Sequence, residues 1–265
     1  MNNNPIGVFD SGIGGLTVVK EIVRQLPNEH IIYLGDTARV PYGPRSKEVV
    51  TQFAKELAAF LLKRDVKALV VACNTISSFA LPEIKALTTI PVLGVIKPAA
   101  IEAVNKSKNK KIGIIGTSGT INSKAYEMEI KKLDPEVEVV SVACPLFVPL
   151  AEEGLHVHRS TKLIAQDYLK DIIENKVDTL ILGCTHYPLL LDSIKSVLGP
   201  QVVLIDSAMP TTQKLIKLLE DKDLLAQENN SKLEFYVTDA PERVTQVASR
   251  FFGEDLVGKI QKVTL

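Results

Sequence analysis

VVACNTISS, residues Val70 to Ser78, is an apolar run that stops abruptly at a thiol, an amide and a hydroxyl. This places Cys73 where a buried strand empties into a loop. A second stretch, LILGCTHYPLL from Leu180 to Leu190, has the same form: an apolar run, a small residue, Cys184, then Thr185 and His186, with the two cysteines 111 positions apart. In open α/β sheets ligands bind outside the carboxyl ends of the strands. Two matching strand ends would therefore bring two thiols to one small molecule, an arrangement suited to proton transfer at a single carbon.

The same pattern extends outward in both directions. Pro5 to Phe9 is a short apolar run followed by the glycine-rich turn DSGIGG (Asp10 to Gly15) and an amphipathic segment from Leu16 to Leu26, which reads as strand, turn and helix. Ile31 to Leu34 predicts a second strand. Ala38 to Arg45, with two prolines and a glycine, predicts an irregular loop carrying Tyr42 and Gly43. Ser46 is the expected N-cap of a helix whose apolar positions are Val49, Phe53, Leu57 and Phe60. Strands are expected at Ala68 to Ala72 and Val92 to Val95, a short helix around Ile101 to Val104, and a solvated connection over NKSKNKK, Asn105 to Lys111.

Ile112 to Thr120, IGIIGTSGT, repeats the opening strand and turn: Gly113 stands 106 positions after Gly7, and Thr117 the same distance after Ser11. Two elements recurring at nearly the cysteine interval imply two related α/β halves. In the second half, strands are expected at Val137 to Val142, Thr179 to Leu182 and Val202 to Ile205. Cys144 to Gly154 (CPLFVPLAEEG) reads as an apolar loop, and Arg159 to Glu174 as a helix. A helix at Thr211 to Leu225, a strand at Leu233 to Val237 and a helix at Pro241 to Phe251 leave a tail that can rejoin the first half's sheet. Strands alternating with helices give the fold class: α/β, two similar domains with mostly parallel sheets facing each other across a central site.

Composition narrows the function. Of the 265 residues, 46% are hydrophobic and 23% charged, which is ordinary globular usage and sufficient for two packed cores. Lys+Arg and Asp+Glu both total 31, and without a basic run the chain lacks the footprint of a dedicated nucleic-acid binder. There is no cationic and apolar leader at MNNNPIGVFDSG and no stretch of roughly 20 apolar residues, so a cytoplasmic protein with no membrane partner is expected. Three cysteines without CxxC spacing argue for free thiols, and the four histidines stand without other ligands at metal spacing, so neither a disulfide framework nor a metal is expected.

Cys73 and Cys184 are the candidate acid and base, because a positioned thiol exchanges protons readily. Cys144, followed by Pro145, reads as a small buried hydrophobe. Asp10, after a strand and before glycines, can reach an ammonium group, orient a neighbouring acid or simply cap the turn. The glycines that follow it permit close backbone approach to an anion, but neither the nucleotide spacing GxGxxG nor a phosphate-binding lysine is present. His186 can poise the adjacent thiol or serve packing. Glu152 and Glu153 read from spacing as an exposed pair. Ser11, Asn74, Thr75, Thr117 and Thr185 can hold substrate carboxylates, with no arginine clamp among them.

FDSGIGGLTV (Phe9 to Val18), YLGDTARVPYGPRS (Tyr33 to Ser46), ACNT (Ala72 to Thr75), CPLFVPLAEEG, LILGCTHYPLL and IDSA (Ile205 to Ala208) closely resemble the bacterial glutamate racemases. The resemblance implies a cofactor-independent racemase of L- and D-glutamate that supplies D-glutamate for peptidoglycan. In it Cys73 takes the proton from D-glutamate and Cys184 takes it from L-glutamate. Asp10, Glu152 and His186 match residues that assist the thiols, which reverses the reading of Glu152 from spacing. Ser11, Tyr42, Gly43, Asn74, Thr75, Thr117 and Thr185 match substrate contacts, as do Asp10 and His186. It further implies a homodimer and a second domain (97–207) inserted into the first (1–96 plus 208–265). Ile76 and Lys97-Pro98-Ala99 depart from the family's usual residues and are expected to bear on the pocket entrance and the hinge. A racemase of aspartate or another acidic amino acid, and a catalytically idle amino-acid-binding or regulatory protein, are the alternatives.

Overall fold

A computed structural model describes residues 2–226, 231–252 and 260–265; the parts of the expected C-terminal return that fall on 227–230 and 253–259 lie outside them. The chain runs β1 (Ile6–Asp10), α1 (Leu16–Gln25), β2 (His30–Gly35), α2 (Lys47–Leu62), β3 (Ala68–Val71), α3 (Asn74–Phe79), α4 (Leu81–Lys85), β4 (Val92–Gly94) and α5 (Ile96–Lys106). It continues as β5 (Lys111–Gly116), α6 (Ser118–Asn122), α7 (Ala125–Leu133), β6 (Glu138–Ala143), α8 (Phe147–Glu152), α9 (Arg159–Tyr168), α10 (Lys170–Glu174) and β7 (Thr179–Gly183). A 3-10 turn at Tyr187–Leu190 leads to α11 (Leu191–Leu198), β8 (Val203–Ile205), α12 (Ala208–Asp221), β9 (Lys232–Val237), α13 (Pro241–Phe252) and β10 (Ile260–Lys262).

Two parallel sheets result, one of six strands in the order β10-β9-β2-β1-β3-β4 and one of four in the order β6-β5-β7-β8. The four-strand order β2-β1-β3-β4 is thus repeated by β6-β5-β7-β8. The likeness extends to side chains. A Cβ placed on Gly7 would meet Leu69, Val66 and Leu61, and one on Gly113 would meet Leu180, Val177 and Ile172, each pair of neighbours 111 positions apart. Glycine is needed at both points because the helix preceding the next strand packs directly on the central strand.

β1, β3 and β7 are buried at every position, as strands covered on both faces must be, and this is why they read as continuous apolar runs. One face of the larger sheet packs on α1, α12 and α13 and the other on α2. The chain passes to the second sheet through α5 and returns through α12, and these two helices touch. Among the described residues no helix is long and apolar enough to cross a membrane.

Several expected elements differ. Ser46 does cap α2, accepting from the Val49 amide at 3.4 Å, but the buried stripe is Val50, Ala54, Leu57 and Leu61 rather than Val49, Phe53, Leu57 and Phe60. The small Ala54 and Ala58 let the helix lie close to the sheet, and Phe53 turns outward beneath the Arg39 guanidinium, 4.0 Å from its ring centre. Cys144 to Gly154 is not all loop: α8 forms within it because Phe147 is buried edge-on between Tyr168 and Tyr187. The single helix expected from Arg159 to Glu174 is two, α9 and α10, meeting at Leu169. α5 spans eleven residues and contains Pro98 in its first turn, where proline costs no hydrogen bond. α12 starts at Ala208, earlier than expected, because Asp206 Oδ1 accepts the Ala208 amide at 2.7 Å.

Candidate active site

The strand ends meet at a cavity of about 390 Å³, lined by Ser11, Tyr42, Gly43, Cys73, Asn74, Thr75, Thr117, Glu152, Cys184, Thr185 and His186. Cys73 enters it from the six-stranded sheet and Cys184 from the four-stranded one. Cys73 does not open a loop as expected; it is the residue before α3, so the strand turns into a helix at the thiol.

The Cys73 Sγ lies 3.4 Å from the Ser11 hydroxyl. Burial, with the negative charge of Asp10 behind it, pushes this thiol well above its ordinary value, while hydrogen bonds from Ser11 and the Ile76 amide oppose the shift. Asp10 does not line the cavity. Its Oδ2 accepts the Gly15 amide at 2.8 Å at the start of α1, where the helix dipole favours a carboxylate, and its buried Oδ1 has no hydrogen-bond partner among the described residues. The glycines after Asp10 allow close packing. A Cβ on Gly14 would stand 2.3 Å from Thr185 Oγ1 and 2.5 Å from His186 Nδ1, so this turn is pressed against the second sheet's strand end.

On the other side, His186 Nδ1 stands 3.8 Å from Cys184 Sγ and Nε2 stands 3.0 Å from Glu152 Oε1. Burial alone would discharge this imidazole; the bonds to Cys184 and Glu152 outweigh burial and raise its pKa to about 10. Burial would likewise raise Glu152, but the His186 bond holds its carboxyl below the usual range. Its neighbour Glu153 points outward to Arg243 at 3.2 Å, so the two glutamates that read alike in the sequence have separate surroundings. His156 and His158 are exposed, and among the described residues no three His, Cys, Asp or Glu side chains stand together as a metal site would require.

Thr75 Oγ1 and Thr117 Oγ1 are 2.9 Å apart, with Thr120 Oγ1 3.1 Å from Thr117, forming a hydroxyl cluster between the halves. Gly43 backs onto Thr117, where a Cβ would come within 2.9 Å of the threonine Cβ. Tyr42 lines the cavity, yet its hydroxyl is bonded to the buried Asp36. Val40, Pro41, Pro44, Ser118, Pro145, Val148 and Pro149 complete the lining and carry no signal in the sequence beyond their place beside expected residues. Cys144 is fully buried in the core beneath Cys184. Ile76 is fully buried and Lys97 exposed, and neither lines the cavity, so the departures expected to shape its entrance do not reach it.

The Asp/Glu/hydantoin racemase family model matches residues 6–215. The chain is 49% identical over 263 residues to the glutamate racemase of Geobacter metallireducens, covering 98% of this chain and 96% of that one. Among solved structures, a glutamate racemase isoform from Bacillus anthracis superposes with a TM-score of 0.96 at 43% identity, covering 100% of this chain and 99% of that one. Glutamate racemase from Francisella tularensis in complex with D-glutamate superposes at 0.94 with 41% identity, covering 100% and 98%.

Proposed function

The chain belongs to the Asp/Glu/hydantoin racemase family, and from that premise we infer that it is a glutamate racemase whose two bases are Cys73 and Cys184. The observation that carries the reading is that these two thiols, delivered by strands of two different sheets, line one small cavity. One thiolate takes the Cα proton, leaving the electron pair of the C–H bond on Cα. The other thiol gives its proton to the opposite face, and the configuration inverts. Cys184 is the base toward L-glutamate and Cys73 the base toward D-glutamate.

The surroundings suit these roles. Cys73, raised by burial, holds its proton in the free enzyme and is ready as the acid that completes conversion of L to D. When Cys184 gives up its proton, the charge on sulfur faces an imidazolium that Glu152 keeps protonated. Asp10 acts through its charge beside Cys73 and the Ser11 hydroxyl. The Asn74 amide, the hydroxyls of Ser11, Thr75, Thr117 and Thr185, and the backbone at Tyr42 and Gly43 hold the substrate carboxylates. No cofactor is invoked. The reading extends to a cytoplasmic homodimer, with residues 97–207 as a domain inserted into 1–96 plus 208–265, supplying D-glutamate to peptidoglycan synthesis.

Purified protein given L-glutamate or L-aspartate without pyridoxal phosphate, followed by chiral chromatography, tests this reading. D-glutamate should accumulate to equal the L form while aspartate stays unconverted. Preferential racemisation of aspartate would reassign the substrate, and no inversion of either would leave a binding protein.

A further inference from the structure

Asn74 follows Cys73 and lines the cavity, and its side-chain Nδ2 is buried with no hydrogen-bond partner among the described residues. Its Oδ1, by contrast, is doubly engaged. The Tyr126 hydroxyl donates to it at 2.7 Å, and the Ser207 hydroxyl lies 3.5 Å from it. Tyr126 is buried at the start of α7, on the four-stranded half, and Ser207 lies at the entrance to α12, where the chain returns. The amide of Asn74 is therefore where three separate segments converge, with its acceptor engaged by protein and its donor unengaged.

An asparagine amide has one acceptor end and one donor end of nearly equal shape, so packing alone does not choose between its two orientations. The choice matters for an anionic substrate. With Nδ2 inward the amide donates to a carboxylate; flipped, it would set Oδ1 against the carboxylate and lose the bond. A phenolic hydroxyl aimed at Oδ1 favours the first orientation. We propose that Tyr126 is a positioning residue of the racemase, its hydroxyl fixing the Asn74 amide with Nδ2 toward the substrate carboxylate. Tyr126 touches no substrate in this arrangement. Its contribution is to have the donor aimed before the substrate arrives, so its loss is felt in binding.

This rests on the reading of Asn74 as a substrate contact, and the two can fail separately. Tyr126→Phe removes one oxygen from a buried ring, and the expected result is a KM for glutamate raised about 10-fold, the size of one hydrogen bond to a charged group, with kcat within about 2-fold. Asn74→Ala should raise KM at least as much, and adding Tyr126→Phe to Asn74→Ala should raise it no further, because the hydroxyl then has no amide to orient. A merely structural tyrosine would lower thermal stability without this non-additive pattern in KM. Wild-type KM in Tyr126→Phe, or a further rise in the double variant, overturns the role of Tyr126. Wild-type KM in Asn74→Ala overturns the substrate contact instead. If Tyr126→Phe alone does not fold, a further rise in KM from Asn74→Ala to the double variant still overturns the role of Tyr126.

Discussion

His186 Nε2 lies 3.0 Å from Glu152 Oε1, and the other nitrogen of the same ring lies 3.8 Å from Cys184 Sγ. The imidazole thus passes the influence of a carboxylate to a thiol it does not itself touch. Among the described residues no imidazole stands beside Cys73, whose neighbours include a hydroxyl and, behind it, the Asp10 carboxylate. The two halves repeat their strand order but not their support of the thiol.

This asymmetry predicts unequal losses. His186→Asn and Glu152→Gln should lower kcat by roughly 10 to 10⁴-fold, the span of single acid–base contributions, with smaller changes in KM. With Cys184 as the proposed base toward L-glutamate, the loss should be larger in the L-to-D direction. Asp10→Asn should show the reverse bias. Kinetics in both directions for each variant would decide, and equal losses in the two directions would remove the division of labour.

Stability should carry the same signature. His186 binds its proton more tightly in the folded protein than in the unfolded chain, with a pKa of about 10 against 6.5. The stabilisation this gives is fully present below about pH 6.5 and is lost as pH rises toward 10. Glu152 has the opposite sign: its carboxyl is lowered from 4.5, so its contribution is present above pH 4.5 and is lost as pH falls below that value. Thermal melts across this range should therefore fall off at both ends. His186→Asn should flatten the alkaline limb; an unchanged alkaline limb would contradict a charged, buried His186.

A third outcome concerns Gly14. Adding one methyl there places carbon 2.5 Å from His186 Nδ1, and neither the turn nor the strand end can retreat freely. Gly14→Ala should lower kcat at least 10-fold by displacing His186 from Cys184, with a stability loss of about 1–3 kcal/mol from overpacking. Gly12→Ala, whose Cβ would meet Val40 at an ordinary 3.4 Å, is the control and should keep activity and stability near wild type. Comparable activity in both variants would mean that the close approach at Gly14 has no part in placing the histidine.

What could be read without the structure follows from the physics of parallel sheets. β3 and β7 are buried on both faces, so each is a continuous apolar run, and the first reactive side chain after each run had to stand at a strand end. Glu152 was invisible to spacing because Glu153 beside it is chemically identical; only the turn of α8 sends one to His186 and the other to Arg243. Tyr126 drew no reading from the sequence, since its partner Asn74 is 52 positions away, at the start of α3 in the other half. Asp10 had the right position in sequence, yet it stands behind Ser11 and Cys73 rather than on the cavity wall, because the Gly15 amide holds its carboxylate at the start of α1.

The thiols themselves allow the most direct test. If one cysteine removes the Cα proton and the other delivers a different proton from the opposite side, substrate and product acquire different isotopic histories. In D₂O, starting from L-glutamate and stopped early, the D-glutamate formed should carry deuterium at Cα while the remaining L-glutamate stays largely protiated. A single base returning the same proton would give protiated product, and one that exchanged first would label both enantiomers. Cys73→Ala and Cys184→Ala should each abolish inversion, because inversion needs an acid and a base together. Cys144→Ala should retain it, since that sulfur is buried in the core with Val142 O at 3.7 Å and does not line the cavity. Full racemase activity in either of the first two variants would sink the two-thiol assignment, and protection of Cys73 and Cys184 from alkylation by bound glutamate would support it independently.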